Sequence, residues 1–583
     1  MKFDHLFEPI QIGNVTIKNR FVVPAITYSH TDLEHTIAYY EERAKGGYGL
    51  IVHDAAAVSK LGASFPGQFN FYDDSFNEEY KRIVDTVHKH DCKMFIQVLH
   101  AGRTSMWREQ SASPSGVPDP SKDFIPHELT VEEIHAIVEE YGDAAVRAQK
   151  IGFDGIEVHA AHGYLIAQFL SPQANKRFDE YGGTIDGRMR FLLEIIDNIK
   201  KKTNGTFPLV VRLSVEEDVH GGLTSELTDI ITREIDEAGV DCISVSCGNY
   251  TDMSRYIASP HFGPGFLQDY AERIKKNVKC PVMVVGRINS PYVAEMIIRD
   301  GKADMVCLGR PSVAEAAFPN KVAEGQLEEI SPCIGCNQGC FMTRIGLPTS
   351  CSINPNSSRE SENLLKPTEN PKNVMVVGAG PGGLYAAWAL AKRGHNVTLY
   401  EKTDKLGGQF RIGGIPPVKH EINAALKYYV YQCKKNNVEI VMNTEVTKEL
   451  IVEKKPDAVV LATGALPLVL PIKGIDTTGV VTAVDLLDGK IGAITGCDVV
   501  ANISSRKILV CGGGEVGVET AAFLGERGCD VTVMEMKPVI IEEEAAPNRP
   551  MVLLSPKVMM MSGVILQRRN LKKSLEQSRI VLR

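Results

Sequence analysis

Residues 152–164, GFDGIEVHAAHGY, join a short apolar run to a group of polar and aromatic side chains. The run GIEVH has the length and composition of a buried parallel strand. It is one of eight such runs: RFVVP (20–24), GLIVHDA (49–55), MFIQVLH (94–100), GIEVH (155–159), LVVRLS (209–214), CISVS (242–246), VMVVG (282–286) and MVCLG (305–309). Eight strands that alternate with helices predict an α/β fold, a (β/α)8 barrel, with an open doubly wound sheet as the alternative.

Helix-length amphipathic segments separate most of these runs. In one of them, residues 128–152, Thr130 is followed three residues later by Glu133, and Gly152 closes the segment. A threonine with an acid three residues later is typical of a helix start, and glycine is typical of a helix end. We therefore predict a helix between Thr130 and Gly152.

The ends of the predicted strands carry side chains that are suited to chemistry. In a (β/α)8 barrel the active site lies at the C-terminal ends of the strands. At these ends the sequence has Gln97, His159, His162, Tyr164, Arg212, Arg287 and Arg310. One such residue alone is commonly a satisfied polar group on a loop. Several together indicate a binding site.

Charge and hydropathy exclude several classes of protein. The net charge of -8 gives no basic field for a phosphate backbone, so we expect no nucleic-acid partner. Asp4, His5 and Glu8 interrupt the N-terminal segment where a signal peptide needs an apolar run, and no stretch reaches the roughly 18 apolar residues of a membrane span. We expect a cytoplasmic protein with no membrane partner, and a homo-oligomer is left open.

Four cysteines follow the eighth run in the order Cys333, Cys336, Cys340 and Cys351. The chain has 13 cysteines and no signal sequence, which disfavours a disulfide framework. From spacing alone, the four thiols could bind either tetrahedral zinc or a four-iron cluster.

The first half of the chain closely resembles the FMN-binding barrel of the Old Yellow Enzyme family. The motifs that carry the resemblance are QVLHAGR (97–103), GFDGIEVHAAHGYLIAQFLSP (152–172), NKRFDEYGG (175–183), VGRI (285–288) and LGRP (308–311). The resemblance implies that FMN is bound by Pro24, Thr27, Ala56, Gln97, Arg212, Gly286, Arg287, Gly309 and Arg310. Thr27 and Gln97 would contact the isoalloxazine edge, Arg212 would lie near its N1–C2=O side, and the two Gly-Arg pairs would hold the phosphate.

The resemblance also implies roles for the HAAHGY residues and for the cysteines. His159 and His162 would donate hydrogen bonds to one substrate carbonyl, and Tyr164 would deliver a proton. The pair could instead be half of a metal site, although no third ligand stands at short spacing. Family members that extend the barrel, such as 2,4-dienoyl-CoA reductases, 2-enoate reductases and bile-acid-inducible flavin oxidoreductases, carry a [4Fe–4S] cluster at a sequence similar to CIGCNQGC (333–340). The cluster is therefore favoured over zinc.

A second module begins after a polar linker at 356–371. A strand, the glycines Gly378, Gly380 and Gly383, a helix and the terminal acid Glu401 form a dinucleotide-binding fingerprint. The pattern recurs with Gly512, Gly514, Gly517 and Glu535. By resemblance to pyridine-nucleotide-disulfide oxidoreductase-like domains, the first fingerprint binds FAD together with Gly408 and Gln409, and the second binds NAD(P)H. Glu535 would repel a 2′-phosphate, so NADH is favoured over NADPH.

The C-terminal tail departs from this pattern. Beyond Glu543 the sequence shows no strand–turn–helix order and no Gly-Asp turn that would return to the FAD domain. We predict four segments: an FMN barrel (1–328), an iron–sulfur segment and linker (329–371), an FAD-binding Rossmann-like domain (372–505) and a partial NAD(P)H-binding domain (506–583). The tail is expected to be truncated or frame-altered. The alternative is a divergent but complete small domain.

These features predict an NADH-dependent oxidoreductase that reduces a C=C bond conjugated to a carbonyl. Its small-molecule substrate would be a 2-enoate, an enoyl- or dienoyl-CoA, or an enone steroid or bile acid. The alternatives are an NADH oxidase or diaphorase of low specificity, an amine dehydrogenase of the trimethylamine dehydrogenase type, and a nucleotide-binding module without catalysis. An amine dehydrogenase needs an aromatic cage for a cation. The sequence has only two tryptophans, Trp107 and Trp388, for which Tyr28, Tyr164 and Tyr250 could substitute.

Overall fold

The structure is a computed structural model that describes residues 2–28, 32–251, 253–341, 347–469, 473–477, 479–490, 507–537, 558–562 and 579–582. The chain divides into two compact units, Met1–Leu364 and Leu365–Arg583. The segment boundaries predicted at 328, 371 and 505 stay a prediction. Among the described residues, no helix has both the length and the apolar character that a membrane crossing requires.

The first unit contains a closed barrel of eight parallel strands, as predicted, and the open-sheet alternative is wrong for this unit. A two-stranded antiparallel ladder, β1 (Ile10–Ile12) and β2 (Val15–Ile17), precedes the barrel. The barrel strands follow one another around the ring as β3 (Phe21–Val23), β4 (Leu50–Ala57), β5 (Lys93–Leu99), β8 (Gly155–Ala160), β9 (Leu209–Ser214), β10 (Cys242–Ser246), β11 (Val282–Val284) and β12 (Met305–Cys307). The short strands β6 (Ala112–Ser113) and β7 (His127–Glu128) pair outside the barrel.

Helices surround the barrel strands. They are α1 (Leu33–Lys45), α2 (Asn77–His88), α3 (Val131–Ile151), α4 (Leu165–Leu170), α5 (Ile185–Lys202), α6 (Ser225–Glu237), α7 (Met253–Tyr256), α8 (Gln268–Lys275), α9 (Pro291–Arg299), α10 (Gly309–Ala314) and α11 (Phe318–Ala323). The predicted start and end of α3 are confirmed. Thr130 and Glu133 form a reciprocal capping box, and Gly152 takes a left-handed φ of 108° at the C-cap.

The barrel core has two layers of apolar side chains because strand residues alternate between faces. Outward residues such as Ile51, Ile96 and Ile156 pack against the helices. Inward residues such as Leu50, Phe95 and Val210 fill the lower barrel interior, together with Ile12 and Ile17 of the ladder. Gly155 belongs to this interior because a Cβ at its position would lie 2.7 Å from the Phe95 ring.

The second unit contains two parallel sheets. The first has the order β15 (Glu439–Val441), β14 (Asn396–Tyr400), β13 (Asn373–Val377), β16 (Ala458–Leu461). The second has the order β17 (Val480–Thr482), β21 (Arg579–Leu582), β18 (Lys507–Cys511), β19 (Asp530–Glu535), β20 (Val558–Ser562). The helices are α12 (Pro381–Lys392), α13 (Gly408–Gly413), α14 (Glu421–Lys435), α15 (Lys448–Lys454), α16 (Ala483–Leu487) and α17 (Glu515–Glu526). The predicted Rossmann-like architecture is confirmed.

The tail contains two strands that the sequence analysis did not find. Val558–Ser562 pairs in parallel with β19, and Arg579–Leu582 pairs in parallel with both β17 and β18. The sequence analysis found no strand–turn–helix order after Glu543; residues 538–557 and 563–578, which flank and connect these strands, lie outside the described residues, so the truncation of the tail stays a prediction. The Met559–Met561 run was passed over because methionine is neither β-branched nor aromatic, and a short apolar run does not identify a strand by itself.

Candidate functional site

Polar side chains replace apolar ones at the upper inward positions of the barrel strands. Two residues after the inward Phe95 of β5 comes Gln97, and two residues after the inward Val210 of β9 comes Arg212. Glu157 and His159 of β8 lie between these two strands. Gln97 pairs in register with Glu157, and His159 pairs with Arg212. Side chains that are far apart in sequence are thus neighbours at one end of the barrel.

A cavity of about 190 Å³ opens above this layer. Eleven of the residues that were predicted to bind FMN or to act in catalysis line it: Pro24, Thr27, Gln97, His159, His162, Tyr164, Arg212, Gly286, Arg287, Gly309 and Arg310. Ala56, which was also predicted, is buried in β4 and is not among the lining residues, whereas its neighbour Ala55 is. Asp54, Ser246 and Tyr256 also line the cavity, and sequence reasoning did not assign them to it.

His159 and His162 are hydrogen-bonded to each other in this cavity. The Nδ1 atom of His159 accepts from the Ala161 N–H at 3.2 Å, so a neutral His159 carries its proton on Nε2. His159 Nε2 then donates to His162 Nδ1 at 3.1 Å, and His162 Nε2 donates to the Ser246 hydroxyl at 2.7 Å. Burial, and to a lesser extent the Arg212 charge, hold the pKa of His159 well below its usual range. His159 is therefore a neutral hydrogen-bond donor.

The two histidines do not have the same role in this arrangement. His162 has a left-handed φ of 62° and packs against the Tyr256 ring with 4.0 Å between ring centroids and a tilt of 37°. Its Nδ1 is an acceptor, so it can donate to a substrate oxygen only after its ring turns or its proton moves. The prediction that both imidazoles bind one carbonyl oxygen stays a prediction. No three His, Cys, Asp or Glu side chains in the described residues could hold a metal ion, these histidines included.

Tyr164 stands at the N-cap of α4 and is buried. Its ring lies 4.7 Å from that of His159, and its hydroxyl is hydrogen-bonded to the Tyr250 hydroxyl. Tyr250 follows β10, the sixth barrel strand. The sequence analysis named it only as a substitute cage residue of an amine dehydrogenase, because no motif of the reductase prediction includes it. The hydroxyl of Tyr164 therefore has both a fixed position and a neighbour that can exchange a proton with it.

Arg212 gives a test of whether FMN suits this cavity. The residue is 7 % exposed, and its Nε and Nη1 atoms are buried without a hydrogen-bond partner among the described residues. Buried donors of a charged group are strongly unfavourable when they are left unpaired. An electron-rich edge such as the N1–C2=O side of a flavin satisfies them, so the donor set fits the group.

The two Gly-Arg pairs follow strands β11 and β12 and line the same cavity. Gly286 has a φ of 120°, and Arg287 donates through Nη1 to the Phe262 carbonyl. Arg310 donates to the Ala258 carbonyl at 2.7 Å and to the Asn337 side chain. A Cβ at Gly309 would meet only Ile26 and Pro24, each at 3.6 Å. A guanidinium has five N–H donors, and this geometry suits a phosphate.

The four predicted cluster cysteines lie in the segment after the barrel. Cys333 and Cys340 line the same cavity as the flavin-binding candidates. Burial raises the pKa of Cys340 to about 12; the charge of Arg310 opposes this shift, and the other three cysteines contribute to it. The Ile353 N–H donates to Cys351 Sγ at 3.4 Å. In the described residues these thiols are not gathered into a group that could hold a metal ion. Four thiols are the donors that an iron–sulfur cluster takes, so the residue types fit, and the cluster stays a prediction.

The first fingerprint folds as a tight strand–turn–helix. Gly378 has a φ of 98°, and a Cβ on Gly383 would lie 1.8 Å from the Gly378 carbonyl oxygen. Nothing would contact a Cβ on Gly380, so the backbone there is open to a phosphate. Glu401 Oε2 accepts from the Ala379 N–H at 2.9 Å, which holds the carboxylate beside the glycine turn.

Gly408 and Gln409 lie next to this turn. A Cβ on Gly408 would be 3.4 Å from the Gly380 Cα. Gln409 donates to the Ala465 carbonyl, which lies in the segment that follows β16. The structure therefore brings together all the residues predicted to bind FAD.

The second fingerprint has the same geometry. Gly512 has a φ of 112°, and a Cβ on Gly517 would lie 1.8 Å from the Gly512 carbonyl oxygen. Gly514 is the N-cap of α17. Glu535 Oε2 accepts from the Gly513 N–H at 2.7 Å. A carboxylate at this position can bind ribose hydroxyls and disfavours a 2′-phosphate.

Comparison with known proteins gives consistent results for both units. Residues 5–329 match the NADH:flavin oxidoreductase / NADH oxidase family, and residues 372–566 match the pyridine nucleotide-disulphide oxidoreductase family. The chain is 40% identical over 549 residues to the NADH oxidase of Thermoanaerobacter brockii, with 92% of this chain and 83% of that protein covered. It is 36% identical over 578 residues to the cinnamate reductase of Clostridium sporogenes, with 92% and 84% covered.

A solved structure of 2-naphthoyl-CoA reductase in complex with 2-naphthoyl-CoA is similar over the whole chain. The TM-score is 0.92 at 31% sequence identity, with 100% of this chain and 92% of that chain covered. The chain therefore belongs to the NADH:flavin oxidoreductase / NADH oxidase family and is an oxidoreductase with an Old Yellow Enzyme-type barrel.

Proposed function

We propose that this protein is an NADH-dependent reductase of a C=C bond conjugated to a carbonyl group. The observation that carries the proposal is that His159, His162 and Tyr164 line one cavity together with Gln97 and Arg212. A carbonyl clamp and a proton donor thus stand beside the groups that suit a flavin ring. A module that only binds nucleotides has no need of this arrangement.

The cofactors follow from the residues that fit them. FMN would be held by Gln97, Arg212 and the two Gly-Arg pairs, a [4Fe–4S] cluster by the four cysteines, and FAD and NADH by the two fingerprints. When bound, they supply electrons from NADH and a hydride at the β-carbon of the substrate. Each remaining step is performed by side chains of the chain itself.

His159 would polarise the substrate carbonyl. Its Nε2–H is directed at His162 Nδ1 in this structure. A substrate carbonyl oxygen that takes the place of His162 Nδ1 would accept this hydrogen bond instead. Because His159 is buried and neutral, it donates a hydrogen bond without carrying charge into the cavity. The hydrogen bond strengthens as negative charge develops on the oxygen, which lowers the barrier to reduction.

Tyr164 would deliver the proton to the α-carbon. Its hydroxyl is held by Tyr250, and its ring packs edge-on against His159. Proton donation from a fixed hydroxyl requires no rearrangement of the site at the moment of reaction. The product is the saturated carbonyl compound, with one hydrogen added to each carbon of the former double bond.

Aryl-substituted 2-enoates and their CoA thioesters are the substrates that we favour. The similarity to cinnamate reductase and to 2-naphthoyl-CoA reductase supports this class. Tyr164, Tyr256 and Phe266 line the cavity and can pack against an aryl group. Trp107 and Trp388 are not among the lining residues, so neither can form the aromatic cage of an amine dehydrogenase in this cavity.

Exchange of Tyr164 for Phe tests the proposal on the full chain. NADH-dependent reduction of cinnamate should fall by about 10²- to 10⁴-fold, the usual contribution of a general acid. Reduction of a dye by NADH should persist, because it needs no proton at an α-carbon. Equal loss of both activities, or of neither, contradicts the role of Tyr164.

The matched control is Tyr48→Phe. Tyr48 is also a buried tyrosine of the barrel unit. Its hydroxyl has no hydrogen-bond partner in the described ranges of the chain, and it does not line the cavity. This variant should keep both activities.

The metal content tests the predicted cluster. About four irons with matching sulfide per chain in anaerobically purified protein support the cluster, whereas zinc without iron contradicts it.

A further inference from the structure

Glu157 is a buried acid directly beneath the cavity. It is 1 % exposed, lies in β8 between Gln97 and Arg212, and is not itself a lining residue. An acid so deeply buried is unusual unless it is paired. Neither the motifs of the sequence nor the proposed chemistry gives this residue a role.

The first partner of Glu157 is the amide of Gln97. The two residues are opposite each other in the β5–β8 pairing, and Gln97 Nε2 donates to Glu157 Oε1 at 2.5 Å. A carboxylate accepts hydrogen bonds only, so it selects the amide nitrogen and not the amide oxygen. The Gln97 carbonyl oxygen is therefore left as an acceptor for whatever occupies the cavity.

The second partner is the guanidinium of Arg212. Its Nη1 lies 4.0 Å from the same Glu157 oxygen, and in the part of the chain that the structure describes Nη1 and Nε have no hydrogen-bond partner. Burial raises the pKa of Glu157, and the Arg212 charge and the Gln97 hydrogen bond oppose that shift. The acid thus interacts at once with the two side chains that face the cavity from the neighbouring strands.

We propose that Glu157 is a positioning residue that orients the Gln97 amide and the Arg212 guanidinium, so that the cavity floor presents one acceptor beside a row of donors. This pattern is complementary to an N–H group next to a carbonyl, which is the edge of the pyrimidine ring of a flavin. The inference rests on the binding of FMN in this cavity. Glu157 acts only through its two neighbours.

The test compares four proteins as full chains: the unmodified protein, Glu157→Gln, Gln97→Ala and the double variant. The dissociation constant of FMN and the midpoint potential of the bound flavin are measured on each. Glu157→Gln should weaken FMN binding by about tenfold, which is the order of one lost charge-assisted hydrogen bond. Its potential should become more positive, because Arg212 is no longer balanced by a carboxylate and stabilises a reduced, anionic flavin.

The double variant separates positioning from simple packing. If Glu157 acts through Gln97, Glu157→Gln should weaken FMN binding less in the Gln97→Ala protein than in the unmodified one. Purely additive effects overturn the proposal. So does a Glu157→Gln protein that unfolds at a lower temperature but keeps the affinity and potential of the unmodified protein.

Glu217→Gln is the matched control. Glu217 is also a fully buried acid of the barrel unit, and it accepts hydrogen bonds from Ser171 and from the Leu223 N–H, away from Gln97 and Arg212. This variant should lower stability and leave the affinity and potential of the flavin unchanged. An unmodified chain that binds no FMN overturns the proposed function as well, whereas normal FMN binding with an unaffected Glu157→Gln variant overturns only this inference.

Discussion

The barrel cavity and the nucleotide fingerprints are built by different means. In the barrel, the binding groups are side chains from separate strands, such as Gln97 of β5, His159 of β8 and Arg212 of β9. In the second unit, each fingerprint is a continuous segment in which glycines bring backbone groups close together, with a single anchored acid. A site made of side chains depends on the closure of the whole barrel. A site made of backbone depends on one turn.

The two fingerprints have nearly the same backbone geometry. The same close approach of 1.8 Å occurs between the third glycine position and the first glycine carbonyl in both. In both, the terminal acid accepts from the N–H that follows the first glycine, at 2.9 Å for Glu401 and 2.7 Å for Glu535. Sequence repeats of this kind therefore predict three-dimensional repeats without knowledge of the rest of the fold.

Substitution of one glycine should have the largest effect and would break the backbone-built site. In Gly383→Ala the new methyl group would overlap the Gly378 carbonyl oxygen, so α12 must move away from β13. Overpacking of this kind costs about 1–3 kcal/mol or more, and we expect FAD content to fall by at least about tenfold. The measurement is FAD per chain after gel filtration.

Gly382→Ala is the control for this prediction. Nothing lies within 4 Å of a Cβ at Gly382, so this variant should keep its FAD. Gly517→Ala should weaken NADH binding and leave FAD in place, because its methyl group would meet only the second turn. Equal FAD loss in the Gly382 and Gly383 variants would show that the close approach is not the cause.

Replacement of the buried acid Asp54 in the barrel should have the next largest effect, a change in how the free energy of unfolding depends on pH. It would sharpen the contrast with the backbone-built sites. Burial raises the pKa of Asp54 to about 7, and the Tyr28 and Ala55 N–H donors lower it only in part. Tyr40 and His53 also lie against it, and no cation is among the causes of its shift. Asp54 therefore carries a proton in the folded state at pH values where it is ionised in the unfolded chain.

The sign of the pH effect follows from this difference. Between pH 4 and 7 the folded state binds one more proton at Asp54, so the contribution of Asp54 to stability falls as pH rises through this window. From pH 5 to 7 the change is about 2 kcal/mol, because Asp54 is half titrated in the folded state at pH 7. The unfolding free energy of Asp54→Asn relative to the unmodified protein should therefore rise over this range in denaturant titrations. A pH-independent difference would mean that Asp54 ionises normally.

The smallest expected effect concerns strain in the backbone of the second unit. Val418 has a φ of 59°, which is strongly disfavoured for a β-branched residue. Val418→Gly should stabilise the protein by about 1 kcal/mol, because relief of left-handed strain outweighs the greater freedom of glycine in the unfolded chain. Val418→Asn should show part of this gain, since asparagine tolerates the same region. Thermal unfolding checks both, and a less stable Gly variant contradicts the argument.

Much of the candidate site could be predicted because its residues stand at strand ends or in local motifs. Ala56 was placed at the cavity by resemblance, yet the alternation along β4 and its irregular register against β5 turn Ala55 to the cavity instead. Ser246 and Tyr256 were missed as site residues because they belong to the sixth strand end, where the sequence analysis used no motif. Tyr250 was considered there only for the cage of an amine dehydrogenase. Glu157 was missed because it lies below the cavity and acts only through contacts.

The sequence by itself determined the eight strands, the two nucleotide turns and the identities of most side chains around the cavity. These features depend on local patterns: apolar runs, capping residues and glycines at fixed spacing. Only the tertiary structure decided that His159 donates to His162, that Glu157 holds Gln97 and leaves Arg212 with unpaired donors, and that residues 558–562 and 579–582 complete a sheet. The physical reason is that each of these depends on register and closure between distant strands, which no local pattern records.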